Sequence, residues 1–204
     1  MKKLFIIFAV VFAAASVNGQ ERKIHYTTGI GKNHINSPVE FKNSMNNGFD
    51  INGAGYYKFN DWFYSGLHTG FHFFGLDKNA IENGYHEILS VKGGETIITS
   101  LMLCNKYIYD TQQLSPFIET GYGLVYYHRN KRTTKSQGWG FGGPFEITTV
   151  QDSINEVRFG FRFSGGFEIN LPGKYGMQIE LDYFNGTGLS EKSEFVSTGI
   201  RFKF

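Results

Sequence analysis

The chain has 204 residues, with 20 basic and 18 acidic side chains, a single cysteine, 26 glycines and only four prolines. So even a charge balance gives no global attraction for nucleic acid, and one cysteine excludes an internal disulfide. Aromatic residues at 17% alongside abundant glycine favour strands and tight turns over helices.

The first segment, MKKLFIIFAVVFAAASVNGQ, sets Lys2 and Lys3 ahead of an apolar run from Leu4 to Ala15, followed by the small residues Val17 and Gly19. That order predicts a secretory signal peptide over residues 1–19 and a mature domain over 20–204. The run is shorter than the roughly 20 apolar residues a membrane helix needs. Without Lys2 and Lys3, the mature chain balances 18 basic against 18 acidic residues.

Eight segments then alternate apolar and polar residues, over 23–33, 48–59, 62–74, 95–109, 115–128, 155–169, 175–184 and 194–204. Each reaches the roughly 9–11 residues that a tilted strand needs to cross a membrane. Connectors at 60–61, 110–114 and 170–174 are short, whereas 34–47, 75–94, 129–154 and 185–193 are longer. Short turns on one side and long loops on the other predict an all-β fold, an eight-stranded antiparallel up-and-down transmembrane β-barrel.

The segment EVRFGFRFSGGFEI decides which face is outside. Val157, Phe159, Phe161, Phe163, Phe167 and Ile169 share one face, and Arg158, Arg162, Ser164 and Glu168 share the other. In lipid the Phe face turns outward and the charges turn in. In a soluble lipocalin-like carrier the sign reverses. The last segment favours lipid: Val196, Thr198, Ile200, Phe202 and Phe204 alternate to the chain's final Phe, with Ile200, Phe202 and Phe204 resembling the assembly signal of bacterial outer-membrane barrels.

Parity then assigns Asp50, Glu119, Glu168, Glu180 and Asp182 to the interior, against Lys58, Lys106, Arg158, Arg162, Arg201 and Lys203. An eight-stranded barrel is narrow and an unpaired buried charge is costly, so these groups are expected to form an ion-pair network that plugs the lumen. The fourth segment fits least well. Asn105 falls on the lipid face with Leu101 and Leu103, which suggests a bulge.

Other residues invite sharper readings. His68 and His72 share a strand face about 13 Å apart, too far to hold one metal, and with His25 they are expected to pack inside. Gly29 with Gly31 and Gly121 with Gly123 precede no helix, so they relieve crowding and do not cradle phosphate. Hydrolysis of lipid A acyl chains would need a nucleophile and base in reach. His34, Ser37 and His128 are the candidates at the long-loop end, but no His-x-Ser pair on one strand face occurs, so no catalytic residue is assigned. The longest loop opens with Arg129, Lys131, Arg132 and Lys135 and continues to Trp139, Phe141 and Phe145. A basic cluster followed by aromatics suits contact with lipid phosphates or a surface ligand.

The stretch SLMLCNKYIYDTQQLSPFIETGYGLVYYH, residues 100–128, has a Leu-rich strand ending in Lys-Tyr, a short gap, then Pro and a Gly-x-Gly strand. It resembles the small outer-membrane β-barrel domain family, the porin-like and outer membrane protein A-like group. The resemblance extends in layout over nearly all the mature chain and implies an eight-stranded barrel. A proline usual before the Leu run is replaced here by Ser100. Together these readings lead to the expectation of a monomeric barrel in the outer membrane of a Gram-negative bacterium. It would need no cofactor and no metal, contact outer-membrane lipids including lipopolysaccharide, and be inserted by the barrel assembly machinery. Its role would lie in envelope integrity or surface interaction. A narrow conduit for small solutes and a lipid A-modifying enzyme are the alternatives within the membrane.

Overall fold

The computed structural model describes residues 23–84, 87–111, 113–171, 175–187 and 192–204, so the signal peptide expected over 1–19 lies outside the described residues. In chain order the elements are β1 (Ile24–Ser37), α1 (Val39–Ser44), β2 (Gly48–Lys58), β3 (Phe63–Phe74), α2 (Lys78–Gly84), β4 (Ile88–Gly93), β5 (Thr96–Ile108), β6 (Leu114–Arg129), β7 (Arg132–Gly140), β8 (Gly143–Gln151), β9 (Ile154–Asn170), β10 (Gly176–Thr187) and β11 (Lys192–Lys203). Eight strands close into one antiparallel barrel in the order β1-β11-β10-β9-β6-β5-β3-β2.

Closure has a definite stagger. Stepping from Ile35 through its partners Phe195, Phe184, Arg162, Gly121, Cys104, Gly66 and Tyr56 returns to β1 at His25, ten residues from the start. Eight strands with a stagger of ten tilt about 40° from the barrel axis. A barrel of this width has room inside for side chains and little else.

Alternation along each strand sets the two faces, and the exposures give the sign. On β9, Phe159 is 60% exposed while the adjacent Arg158 is 4% exposed. The outward face therefore carries a belt of large apolar residues and the inward face carries the charges. That is the arrangement of a transmembrane barrel, and it is the inverse of a carrier with an apolar lumen. An aromatic girdle marks the short-turn end, where Trp62 stacks on Tyr107 with ring centroids 6.0 Å apart and Phe63 lies 5.2 Å from the same ring. The turn there is set locally: the Asn60 side-chain oxygen accepts from the backbone N–H groups of Trp62 and Phe63 at 3.0 and 2.8 Å.

Three expectations need correction. First, β5 has no bulge: its register with β3 and β6 runs unbroken, and Asn105 stands on the outer face between Ser65 and Thr120. The register irregularity falls instead in β1, between Ile35 and Ser37. Second, the long connectors 75–94 and 129–154 are not simple loops. They fold into α2 and a separate three-stranded sheet in the order β4-β7-β8 beyond the long-loop end of the barrel. Third, the lumen is not polar throughout. Near the long-loop end Phe74, Phe184, Phe195 and Ile98 pack together with Phe41 of α1, Met45 and Leu76, all buried. Phe184 stacks on Phe195 at 4.5 Å, and Phe74 meets Phe195 edge-on at 5.3 Å.

Candidate functional site

Below that apolar cap the inward charges fall into separate groups. At the centre, Arg162 of β9 and Arg201 of β11 face three carboxylates, Glu119 of β6 and Glu180 and Asp182 of β10. Arg162 bonds Glu119 and donates to Asp182 at 2.6 Å, with Glu180 at 3.4 Å. Arg201 reaches Glu180 at 2.6 Å and lies 3.7 and 3.9 Å from Asp182 and Glu119. The Tyr56 hydroxyl donates to Glu119 at 2.7 Å, and His68 Nε2 lies 3.1 Å from Arg201. Both guanidiniums are almost wholly enclosed, so these contacts replace the hydration that each ion has lost.

Nearer the short turns, Glu168 is bonded by Lys106 at 2.9 Å, by Lys203 and by the Gln178 amide at 2.9 Å. Lys106 also lies over the Phe117 ring, 4.4 Å from its centroid. Asp50 sits apart, accepting from Asn52 and from Ser197, each at 2.7 Å. Arg158, close to the cap, pairs with Glu156 at 2.7 Å and covers the Tyr127 ring at 4.2 Å. Lys58 does not join any of these groups. It is one strand end too low, and at the rim it pairs with Asp61 at 2.7 Å. The Lys58 ammonium holds the exposed Asp61 carboxyl below its usual range.

Glycines make this packing possible. A Cβ on Gly29 would lie 2.4 Å from the Ile200 carbonyl and 2.5 Å from Arg201 Cγ, and one on Gly31 would lie 2.5 Å from an Asp50 carboxylate oxygen. His68 and His72 both point inward and are buried, and His72 packs against Phe195 at 4.7 Å and Phe184 at 5.2 Å. His25 meets Tyr64 edge-on at 5.5 Å. No group of three or more His, Cys, Asp or Glu side chains among the described residues could hold a metal ion.

Outside the barrel, β7 and β8 form a hairpin with Phe141 and Gly142 at its tip. Gly143 has φ of +106°, a value that side chains other than hydrogen rarely adopt, and it lets the chain turn back after two residues. At the tip Trp139, Phe141 and Phe145 are all exposed. Gly138 leaves room for the Phe145 ring across the hairpin, where a Cβ would approach Phe145 Cζ to 2.8 Å. The basic and aromatic residues read together in the sequence are thus drawn apart. Arg129 ends β6, the exposed Lys131 follows, Arg132 opens β7, and Lys135 pairs in mid-hairpin with Glu146 at 2.5 Å. About 13 Å of strand separates Lys135 from Trp139.

His34, Ser37 and His128 do not converge either. His34 faces outward on β1, Ser37 closes that strand, and His128 is the penultimate residue of β6, beside Asn155 at 2.7 Å and Asn130 at 3.0 Å. Strands β11, β10 and β9 lie between β1 and β6. Ile200 and Phe202 sit on the outer belt, and Phe204 closes the barrel by exchanging backbone hydrogen bonds with Tyr26 at 3.1 and 3.2 Å.

No protein-family model matches the chain, and no curated protein matches it in sequence. Solved structures do match it in shape. Neisserial surface protein A aligns with a TM-score of 0.51 at 12% identity, covering 90% of this chain and 98% of that one. The outer membrane protein OprG of Pseudomonas aeruginosa aligns with 0.49 at 14%, covering 91% and 98%. The N-terminal β-barrel domain of Pseudomonas aeruginosa OprF gives 0.47 at 14%, covering 91% and 100%. The closed eight-stranded barrel and the alignment with Neisserial surface protein A show that the chain has the fold of a small outer-membrane barrel.

Proposed function

We propose that the protein is an integral outer-membrane protein of a Gram-negative bacterium, a sealed barrel that anchors an external sheet for surface interaction. It is not an enzyme or an open conduit. The observation that carries this reading is the contrast between the two ends of the molecule. The lumen holds ion pairs below and the Phe74, Phe184 and Phe195 cluster above, so the central charges are spent on one another. Beyond the cap, the β7–β8 hairpin leaves Trp139, Phe141 and Phe145 uncovered, and exposed aromatics on a rigid strand pair are the common anchors of recognition surfaces. The bases Arg129, Lys131 and Arg132 lie at the foot of that hairpin, on the side of the lipid headgroups, and suit contact with lipopolysaccharide phosphates.

Gly142→Cys tests the arrangement. Cys104 is buried and faces the lumen, so a membrane-impermeant maleimide added to intact cells should label the variant at the hairpin tip and leave the parent protein unlabelled. Labelling only after the envelope is broken would place the sheet on the wrong side and end this reading. Steady conductance of the parent protein in planar bilayers would reinstate the conduit.

A further inference from the structure

The lipid-facing surface carries a depression that neither the internal network nor the external sheet explains. It crosses β9, β10, β11, β1 and β2 and has a volume of about 930 Å³. Its floor is backbone, because Gly31, Asp50, Gly166, Glu180 and Gly199 sit at inward positions and put no side chain on the outer face. Phe167, Ile179, Ile200 and Phe49 form its walls.

Two small outward residues open it. The register sets Lys32, Thr198, Leu181 and Gly165 in one row across four strands. A Cβ at Gly165 would meet only the Phe117 carbonyl at 3.6 Å and Ile118 Cγ2 at 4.0 Å, both ordinary contacts, whereas one at the neighbouring Gly166 would lie 2.0 Å from the Ile179 carbonyl. Packing thus requires glycine at 166 and not at 165. What glycine at 165 does is leave the groove clear.

The other end of the groove is cationic. Lys32 is exposed on the outer face five residues before the long-loop end of β1, and its ammonium has no ion pair or hydrogen bond among the described residues. Phe167 lies three residues from the short-turn end of β9. With strands tilted about 40°, the groove climbs about 14 Å from Phe167 to Lys32. A lysine at this level extends its ammonium to the headgroups while its methylenes stay in the apolar layer.

An apolar trough that ends at a lone cation matches a molecule with a hydrocarbon tail and a negative head. We propose that this groove binds one anionic, phosphate-bearing acyl lipid of the outer leaflet, with its phosphate on the Lys32 ammonium and an acyl chain lying over Gly165. The proposal rests on the outer face of the barrel being lipid-facing.

Native mass spectrometry of the detergent-purified protein tests it, by titration with phosphatidylglycerol and with phosphatidylcholine of the same acyl chains. The parent protein should retain one phosphatidylglycerol about fivefold more tightly than phosphatidylcholine. Lys32→Gln should erase that preference, Lys32→Arg should keep it, and Gly165→Leu should weaken retention of both lipids. Lys92→Gln, which removes an exposed cation from the external sheet, should behave as the parent. A preference that survives Lys32→Gln, or unchanged retention in Gly165→Leu, means annular lipid only and overturns the site. The heat-dependent shift of each variant on a denaturing gel reports separately that its barrel is closed. Its loss in the parent protein would instead count against the membrane-barrel reading.

Discussion

Replacing Arg162 with leucine removes the guanidinium that bridges β6 and β10, and its cost can be worked from the contacts. Arg162 is 2% exposed and bonds two of the three central carboxylates directly, with the third at 3.4 Å. Without it Arg201 alone faces Glu119, Glu180 and Asp182, so the carboxylates without a counter-charge rise from one to two where water cannot replace it. Breaking a buried ion pair by deleting one partner costs about 3–5 kcal/mol. For a chain of this size about 2–4 °C of melting temperature accompanies each kcal/mol, so the midpoint of Arg162→Leu should fall by roughly 6–20 °C. The assay is the temperature at which the folded band on an unheated denaturing gel converts to the unfolded band, with tryptophan fluorescence as a second probe. Glu119→Gln should be destabilising alone yet less than additive with Arg162→Leu, because the pair no longer leaves the Glu119 carboxylate stranded. A midpoint unchanged in Arg162→Leu, or strict additivity in the double variant, would refute the structural role of the network.

The rim pair offers the contrast: Asp61→Asn deletes the Lys58 partner in solvent, and its melting point should match the parent within error. Phe195→Ala removes a ring with no exposed surface from the apolar cap, for which denaturant unfolding should report a loss of about 3–5 kcal/mol. Gly29→Val brings a branched side chain against the Ile200 carbonyl and Arg201, and little or no heat-shifted band should be recovered after refolding in detergent. Phe204→Ser should lower the amount of folded barrel reaching the outer membrane in cells while detergent refolding of purified chains proceeds normally. Equal losses in both settings would show that Phe204 acts in closure with Tyr26 and not as an assembly signal.

The barrel itself was legible because lipid outside and charge inside force strict alternation, and segments such as 155–169 carry that signal without interruption. Arg162, Glu119, Glu168, Glu180, Asp182 and Arg201 fall on the inward face by parity alone. Parity says nothing of depth, however, which is why Lys58 counted as interior although it ends β2 at the rim. The apolar cap was harder to see, since FHFF at 71–74 and YF at 183–184 place large rings on both faces near the strand ends. The external sheet gave least warning. Strand β8 is exposed along nearly its whole length, so burial imposes no alternation on it, and only the β-branched run ITTV at 147–150 hints at a strand. At Asn105 a polar residue on the lipid face suggested a bulge. Its flanking Ser65 and Thr120, which come from other strands, are visible only once the register is known.

The network also bears on when the protein can become stable. Ser197 reaches Asp50 across 147 residues of sequence, and Arg201 reaches Tyr56 across 145. Those contacts need the last strand beside the first. Until that strand docks, Glu119, Glu180 and Asp182 have no Arg201 to meet. Contacts this distant along the chain make for slow folding. They also make closure of the last strand the step at which several ion pairs form together, so the charges of the lumen are satisfied as a set only in the complete cylinder.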